Sequence, residues 1–194
     1  MLGRSAALVR APAAGHPLEN EGSPATLSGV WAPRRVAGYA GLVSSGNGTR
    51  RIVFLDIDGV LAPIRQWDRY GDLEPACVEV LNEIVVRGGA DVVVSSTWRY
   101  GKTVAELQDL LGAAGFAGSV IGMTPIGAPG AVRGEEIAAW LAQHTVGGYV
   151  ILDDHVDMGD LRTHLVLTHP GRGLQPSDVA RAIATLMRPF HGVI

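Results

Sequence analysis

The segment RIVFLDIDGV, residues 51–60, decides the fold prediction. Its apolar run at 52–55 is short and uninterrupted, which is typical of a strand buried on both faces of a parallel sheet. Two carboxylates, Asp56 and Asp58, follow at once, and Gly59 comes directly after them. Ligands of open α/β sheets bind beyond the carboxyl ends of the strands, so these carboxylates are predicted to lie at a binding edge.

Similar apolar runs recur along the chain and alternate with segments of helical character. The predicted strands span residues 52–55, 92–94, 120–123, 149–152 and 165–167. The predicted helices span residues 75–87, 103–113, 134–144 and 177–187. This alternation predicts an α/β fold: a doubly wound, Rossmann-like domain with a mainly parallel five-stranded sheet and flanking helices.

Three of the predicted strands end in side chains that carry oxygen. The three groups are Asp56 with Asp58, Ser95-Ser96-Thr97, and Asp153-Asp154. Parallel strands bring their carboxyl ends to one edge, where several carboxylates repel one another unless a cation lies between them. Because oxygen ligands select a hard ion, the predicted cofactor is Mg²⁺.

Two other motifs compete for these residues. An EF-hand loop that began at Asp56 would need glycine at its sixth position and glutamate at its twelfth, but Leu61 and Trp67 stand there, which excludes it. The pattern SxxxxGKT at residues 96–103 follows a strand and precedes a helix, as the P-loop of NTP-binding proteins does. A P-loop wraps its backbone N–H groups around the phosphates, and the bulky residues of this segment would hinder that. A P-loop-type NTP-binding protein nevertheless stays as an alternative.

Composition narrows the class of protein. The chain has 194 residues, and residues 1–50, rich in Gly, Ala, Ser and Pro, show no strand or helix period. We therefore expect a poorly ordered extension over 1–50, followed by one domain over 51–194. The single cysteine, Cys77, excludes an internal disulfide. No apolar run has the length of a membrane span and no secretory signal is visible, so a cytoplasmic protein that does not contact membranes is expected.

Four segments together resemble the motifs of haloacid dehalogenase-like (HAD-like) phosphohydrolases. They are FLDIDGVL at 54–61, VVSSTWR at 93–99, RGEEIAAWL at 133–141 and YVILDD at 149–154. The amino-acid sequences of these segments resemble in particular the domain of this superfamily found in Swiss-Army-knife RNA-repair proteins. The resemblance spans about residues 51–188 and implies a HAD-like fold. The gaps between the motifs are too short for a separate cap domain, so a capless member with an open site is expected.

The resemblance implies a phosphomonoester hydrolase that forms an aspartyl-phosphate. Asp56 is similar to the nucleophile, and Asp58 to the acid/base that protonates the leaving group and later activates water. Ser96 would hydrogen-bond the phosphoryl oxygens. Ser95 and Thr97 are its alternates, because a shift of one residue along a strand exchanges the two faces.

The resemblance also implies a cation and a metal site. Arg133, just before the third predicted helix, would offset the charge of the phosphoryl group, and Lys102 is the second candidate for that role. Mg²⁺ would be held by four aspartates: Asp56, Asp58 through its backbone carbonyl, Asp154 and Asp153. Asp154 is favoured as the direct ligand of the last pair.

An open site suits a phosphorylated polymer end, so RNA or DNA ends are candidate substrates. Trp98, Arg99 and Thr97 are candidate substrate contacts, through base stacking or phosphate pairing. A small flap over the site is predicted from Arg65, Trp67, Arg69 and Tyr70. A HAD-fold module that binds without catalysis is a further alternative, and the oligomeric state stays open.

Overall fold

The computed structural model describes residues 49–65 and 72–190. Five strands form one sheet: β1 (Arg51–Leu55), β2 (Ala90–Val94), β3 (Val120–Met123), β4 (Gly148–Asp153) and β5 (Leu165–Leu167). Every pair of neighbouring strands is parallel, and the order across the sheet is β3-β2-β1-β4-β5. The predicted doubly wound α/β fold is confirmed.

Four α-helices accompany the strands: α1 (Pro75–Gly88), α2 (Val104–Ala113) and α3 (Arg133–Leu141) each connect two strands, and α4 (Val179–Leu186) follows β5. Each overlaps a helix predicted from the sequence, and the largest differences lie at the ends of α3 and α4. The chain at 176–178 forms a separate 3-10 turn before α4, because the Asp178 carboxylate accepts a hydrogen bond from the Gln175 amide at 3.0 Å and fixes that turn. Another 3-10 turn, Thr97–Arg99, begins after the two serines that follow β2.

The strands bury both of their faces, because successive side chains point in opposite directions. Val53 and Leu55 of β1 belong to a core shared with α1, α2 and α4. Ile52 and Phe54 belong to a second core, shared with α3. The helices therefore lie on both faces, which explains why β1 reads as an unbroken apolar run.

The strand register places the polar residues that follow the strands at one level. Leu55 pairs with Val94 on one side and with Leu152 on the other. The next residue of β1, Asp56, continues the ladder by donating its amide to the Leu152 carbonyl at 3.0 Å. Since the strand order reverses between β1 and β4, Asp56 lies at the topological switch point, where doubly wound sheets bind their ligands.

Two predictions fall largely outside the described residues. These are the poorly ordered extension over 1–50, of which only Thr49 and Arg50 are described, and the flap, of which only Arg65 is described. Arg65 pairs with Glu74 at 2.7 Å. Within 49–65 and 72–190, no helix is long and apolar enough to cross a membrane.

Candidate functional site

Asp56 lies at the centre of the carboxyl edge of the sheet, and Arg133 reaches it from the first turn of α3. The Arg133 Nη1 atom is 3.2 Å from Asp56 Oδ1 and 3.8 Å from Asp153 Oδ2. It also donates to the backbone carbonyl of Ser95. The structure therefore brings the predicted cation and two of the predicted carboxylates together across three strands.

A glycine allows α3 to begin so close to the sheet edge. A Cβ atom on Gly134 would lie 2.5 Å from backbone atoms of Met158. The Gly134 amide donates to the Asp157 carbonyl at 3.2 Å, which ties the helix start to the loop after β4. Because Gly134 is next to Arg133, this close packing fixes the start of α3 and keeps the guanidinium at the site.

Asp153 is the last residue of β4, Asp154 and His155 follow it, and the three residues lie close to Asp56. One ligand atom from each of the four residues can be chosen so that all lie within 4.8 Å of one another. Asp153 is fully buried, and its Oδ1 accepts the His155 amide at 2.9 Å. The Asp154 Oδ1 atom lies 2.9 Å from His155 Nδ1, and the histidine ring is largely exposed.

Burial raises the pKa of Asp153, and the negative charge of Asp56 raises it further. Burial also raises the pKa of Asp154, although the neighbouring His155 opposes that shift. For His155 burial lowers the pKa, but the Asp154 carboxylate outweighs it and leaves the pKa above its ordinary value. The carboxylates therefore hold protons more tightly than isolated ones do, because their charges are crowded and partly removed from water.

The donor set fits a hard divalent cation. It consists of carboxylate oxygens and one imidazole, and Asp153 Oδ2 is buried with no hydrogen-bond partner among the described residues. A cation would satisfy that oxygen and remove the repulsion between the carboxylates. Asp56, Asp153 and Asp154 are the residues that could hold it, and His155 joins the group although no ligand role was predicted for it from the sequence.

Gly59 shapes the turn that follows the two carboxylates of the first motif. Its φ is +69°, and a Cβ atom there would lie 2.3 Å from Asp154 Oδ2. Any other residue would be strained and would displace Asp154. The hydroxyl of Thr168, the residue after β5, donates to the Gly59 carbonyl at 2.9 Å and so connects the turn to β5.

Asp58 stands apart from the group around Asp56. Its Oδ2 accepts a hydrogen bond from the indole nitrogen of Trp98 at 2.8 Å. Burial raises the pKa of Asp58, the Trp98 hydrogen bond opposes that rise, and the charges of Asp56 and Asp154 add to it. Its side chain is not among the clustered metal-ligating groups, in keeping with the expectation that only its backbone carbonyl would contact a metal.

The three hydroxyl candidates after β2 take different positions. Ser96 is buried, and its Oγ caps the 3-10 turn by accepting the Trp98 amide at 3.4 Å. Ser95 is level with Asp56 on the same face of the sheet, but it too is buried. Thr97 is exposed and lines a cavity of about 230 Å³ together with Arg133 and His155. The geometry therefore favours the alternate Thr97 over Ser96 as the hydroxyl that a ligand can reach.

Arg99 corrects the expectation of a substrate contact. Its side chain is 1% exposed and forms a 2.7 Å ion pair with Glu136 of α3. It also donates to four backbone carbonyls, those of Ser95, Ser96, Thr124 and Pro125. Because these partners occupy the whole guanidinium fork, Arg99 joins β2, β3 and α3 and is not available to a phosphate. Trp98 is partly buried and packs against the core, and its expected role in base stacking stays a prediction.

The geometry also argues against the P-loop alternative at 96–103. The guanidinium of Arg99 fills the inside of this turn. The Thr103 hydroxyl, which would face Mg²⁺ in a P-loop, caps α2 by accepting the Glu106 amide at 3.2 Å. Lys102 acts electrostatically on Glu106 at the same helix start, whereas Arg133 lies beside Asp56. Between the two predicted cations, the structure places Arg133 at the site.

Sequence reasoning missed three residues that build this edge. Thr124 and Thr168 follow β3 and β5, so all five strands, and not only three, end in an oxygen-bearing residue. The signal was present, since each threonine comes directly after a predicted strand. Glu136 carried no such signal, because its role depends on the inward turn of Arg99.

Comparison with known protein families gives a match that covers most of the described chain. Residues 52–179 match the family model described as "HAD domain in Swiss Army Knife RNA repair proteins". No curated protein matches the chain significantly. The matched residues contain all five strands except Arg51, the first residue of β1, and they include Arg133 and each of the clustered carboxylates.

Proposed function

Because the chain belongs to the family of HAD domains in Swiss Army Knife RNA repair proteins, we propose that it is a Mg²⁺-dependent phosphomonoesterase that works through an aspartyl-phosphate on Asp56. The observation that carries the proposal is the surroundings of Asp56. A carboxylate reacts poorly with an anionic phosphate, so a nucleophilic carboxylate needs positive charge beside it. Arg133 lies 3.2 Å from Asp56, and the clustered carboxylates can hold a divalent cation.

Asp56, Asp153, Asp154 and the Asp58 carbonyl would hold Mg²⁺, which would screen the charge between the nucleophile and the phosphate. Arg133 and Thr97 bind the phosphoryl oxygens from the side of the cavity. An oxygen of Asp56 attacks phosphorus, and the bond from phosphorus to the leaving alcohol oxygen breaks. Asp58 gives its proton to that oxygen, so the alcohol leaves neutral.

The second half of the reaction restores the enzyme. Asp58, now ionised, accepts a proton from a water molecule as the water oxygen attacks phosphorus. The bond between phosphorus and Asp56 breaks, and inorganic phosphate leaves. Burial favours the protonated form of Asp58, which suits a group that must begin the cycle as an acid.

The substrate we propose is the phosphorylated end of an RNA or DNA strand. The description of the family supports this, and so does the position of the site beside two surface cavities. One is the cavity with Thr97 and Arg133, and the other, of about 740 Å³, borders Asp154 and the loop after β5. A chain that continues beyond its terminal phosphate could lie along either of them.

The test is phosphate release from a panel of 3′- and 5′-phosphorylated oligonucleotides and small sugar phosphates, with and without Mg²⁺. We expect release to require Mg²⁺ and to fall by about 10³-fold or more in Asp56→Asn, which removes the nucleophile. Asp109→Asn, the same change at an exposed position of α2, is the matched control and should keep full activity.

Two results would contradict parts of the proposal. Full activity in Asp56→Asn would refute the aspartyl-phosphate mechanism. If the protein hydrolysed the small sugar phosphates and none of the oligonucleotides, the proposed substrate class would be refuted. The proposed mechanism would not be affected by that result. If the folded protein bound Mg²⁺ and released no phosphate from any member of the panel, the non-catalytic binding module would be the better assignment.

A further inference from the structure

We propose that Trp98 is a positioning residue for Asp58, and that its indole N–H holds the carboxyl group in the orientation needed to protonate the leaving group. This inference rests on the proposed function. It assigns Trp98 a part in catalysis through Asp58 rather than through contact with the substrate.

The hydrogen bond engages only one of the two Asp58 oxygens. Trp98 Nε1 donates to Oδ2 at 2.8 Å, while Oδ1 is buried and has no hydrogen-bond partner among residues 49–65 and 72–190. A carboxyl group with neither oxygen fixed can rotate about its last side-chain bond. With Oδ2 fixed, that rotation stops, and the carboxyl group keeps one orientation for proton transfer.

Trp98 is itself held from several directions. Its amide is capped by Ser96 Oγ, and its ring packs against the core on the α1 face of the sheet. The next residue, Arg99, anchors the turn through the carbonyls of Ser95 and Ser96, both at 2.8 Å. The donor is therefore attached to a turn that the fold locks in place, which is the condition for precise positioning.

The chemistry of indole suits this role better than a charged donor would. An arginine or lysine beside Asp58 would pair with the ionised carboxylate and oppose its protonation. Tryptophan donates one hydrogen bond, carries no charge and does not titrate. It can therefore orient Asp58 without adding a positive charge, which would also pair with the carboxylates of Asp56 and Asp154.

The test uses aryl phosphates whose leaving groups differ in acidity. 4-Nitrophenol leaves readily without a proton, whereas phenol needs one. For Trp98→Phe we expect kcat toward phenyl phosphate to fall by about 10- to 100-fold, part of the 10²- to 10⁴-fold that a general acid contributes. For 4-nitrophenyl phosphate we expect kcat to fall by about threefold or less, because this leaving group needs little help from a general acid. The KM values for both aryl phosphates should stay nearly unchanged.

A double-mutant cycle connects the effect to Asp58. Asp58→Asn should show the same preference for the better leaving group, and Trp98→Phe should add little in the Asp58→Asn background. Trp140→Phe removes another buried tryptophan, in the core on the α3 face, and should leave the ratio of the two rates unchanged. If Trp98→Phe does not fold, as judged by circular dichroism, Trp98→Leu takes its place in the cycle.

A readout independent of turnover is the indole N–H resonance of Trp98 in metal-free protein. We expect slow hydrogen exchange in the wild type and faster exchange in Asp58→Ala, which removes the acceptor oxygen. Equal loss of kcat on both aryl phosphates, additive effects in the cycle, or an unprotected indole N–H would overturn the role of Trp98. Full activity of Asp56→Asn would instead refute the proposed function, so the two failures can be told apart.

Discussion

Two buried charged regions lie side by side at the carboxyl edge of the sheet, and they are built in opposite ways. In the first, the guanidinium of Arg99 is matched by Glu136 and by four backbone carbonyls. In the second, the carboxylates around Asp56 outnumber the one guanidinium of Arg133 that reaches them. In the described part of the chain, four buried side-chain atoms are left without a hydrogen bond: Asp153 Oδ2, Asp58 Oδ1 and the hydroxyl oxygens of Ser95 and Thr124.

The difference separates a structural charge cluster from a functional one. Burying a charge is costly unless it is paired, so a cluster that serves only the fold completes its own hydrogen bonds. Under the proposed function, a cation or a phosphate would complete the cluster around Asp56. The first cluster should therefore control stability, and the second should control ligand binding.

The largest expected effect is the loss of the Arg99 pair. Arg99→Met should lower the free energy of unfolding by about 3–5 kcal/mol, because it leaves the Glu136 carboxylate buried without its partner. Arg87→Met is the matched control, since Arg87 forms an exposed pair with Glu83 on α1, and it should cost less than about 1 kcal/mol. Chemical denaturation measures both changes. Similar costs for the two variants would remove the contrast between the regions.

The second prediction concerns Mg²⁺ and pH. Burial raises the pKa values of Asp58, Asp153 and Asp154 in the metal-free protein, so the folded state binds protons more tightly than the unfolded state. The stability of the metal-free protein should therefore fall as the pH rises from about 4 through these raised pKa values.

Mg²⁺ must displace these protons, so it should stabilise the protein more at pH 8 than at pH 5. At a hundred times its dissociation constant, the gain should be about 2.7 kcal/mol at the higher pH. Thermal unfolding with and without Mg²⁺ measures it, and Asp153→Asn, which removes one candidate ligand, should reduce the gain. A stabilisation that is equal at both pH values would count against a metal bound by these carboxylates.

The smallest expected effect comes from two glycines that share a backbone conformation. Gly59 and Gly101 have φ values of +69° and +70°, but only Gly59 lies against a carboxylate, while the space around Gly101 is open. Gly101→Ala should cost about 1–2 kcal/mol from backbone strain alone. Gly59→Ala should cost somewhat more and should also weaken the stabilisation by Mg²⁺, because its Cβ atom displaces Asp154. If both variants responded to Mg²⁺ alike, the contact of Gly59 with Asp154 would be irrelevant to the metal.

The parts of this site that follow from a local pattern were predictable. The strand β1 and the carboxylates after it, Asp56 and Asp58, are adjacent in sequence, so one apolar run locates them. The position of Asp154 beside them then follows from parallel strand order. The directions of Ser96, Trp98 and Arg99 were not predictable, because a turn of three residues can present either side to the sheet. Its orientation is decided by the distant partners Glu136, Thr124 and Asp58.

The order of the strands bears on when the site forms as the protein folds. The strands β1 and β4 are neighbours in the sheet, and Asp56 directly follows β1 while Asp153 ends β4. In the chain, however, α1, β2, α2, β3 and α3 lie between these two strands. Closing so long a loop costs more conformational entropy than forming contacts between residues close in sequence. We therefore expect the pairing of β1 with β4 to be among the slow steps of folding. The acidic cluster would then assemble only after most of the sheet exists, and partly folded chains would neither gather these repelling carboxylates nor capture metal.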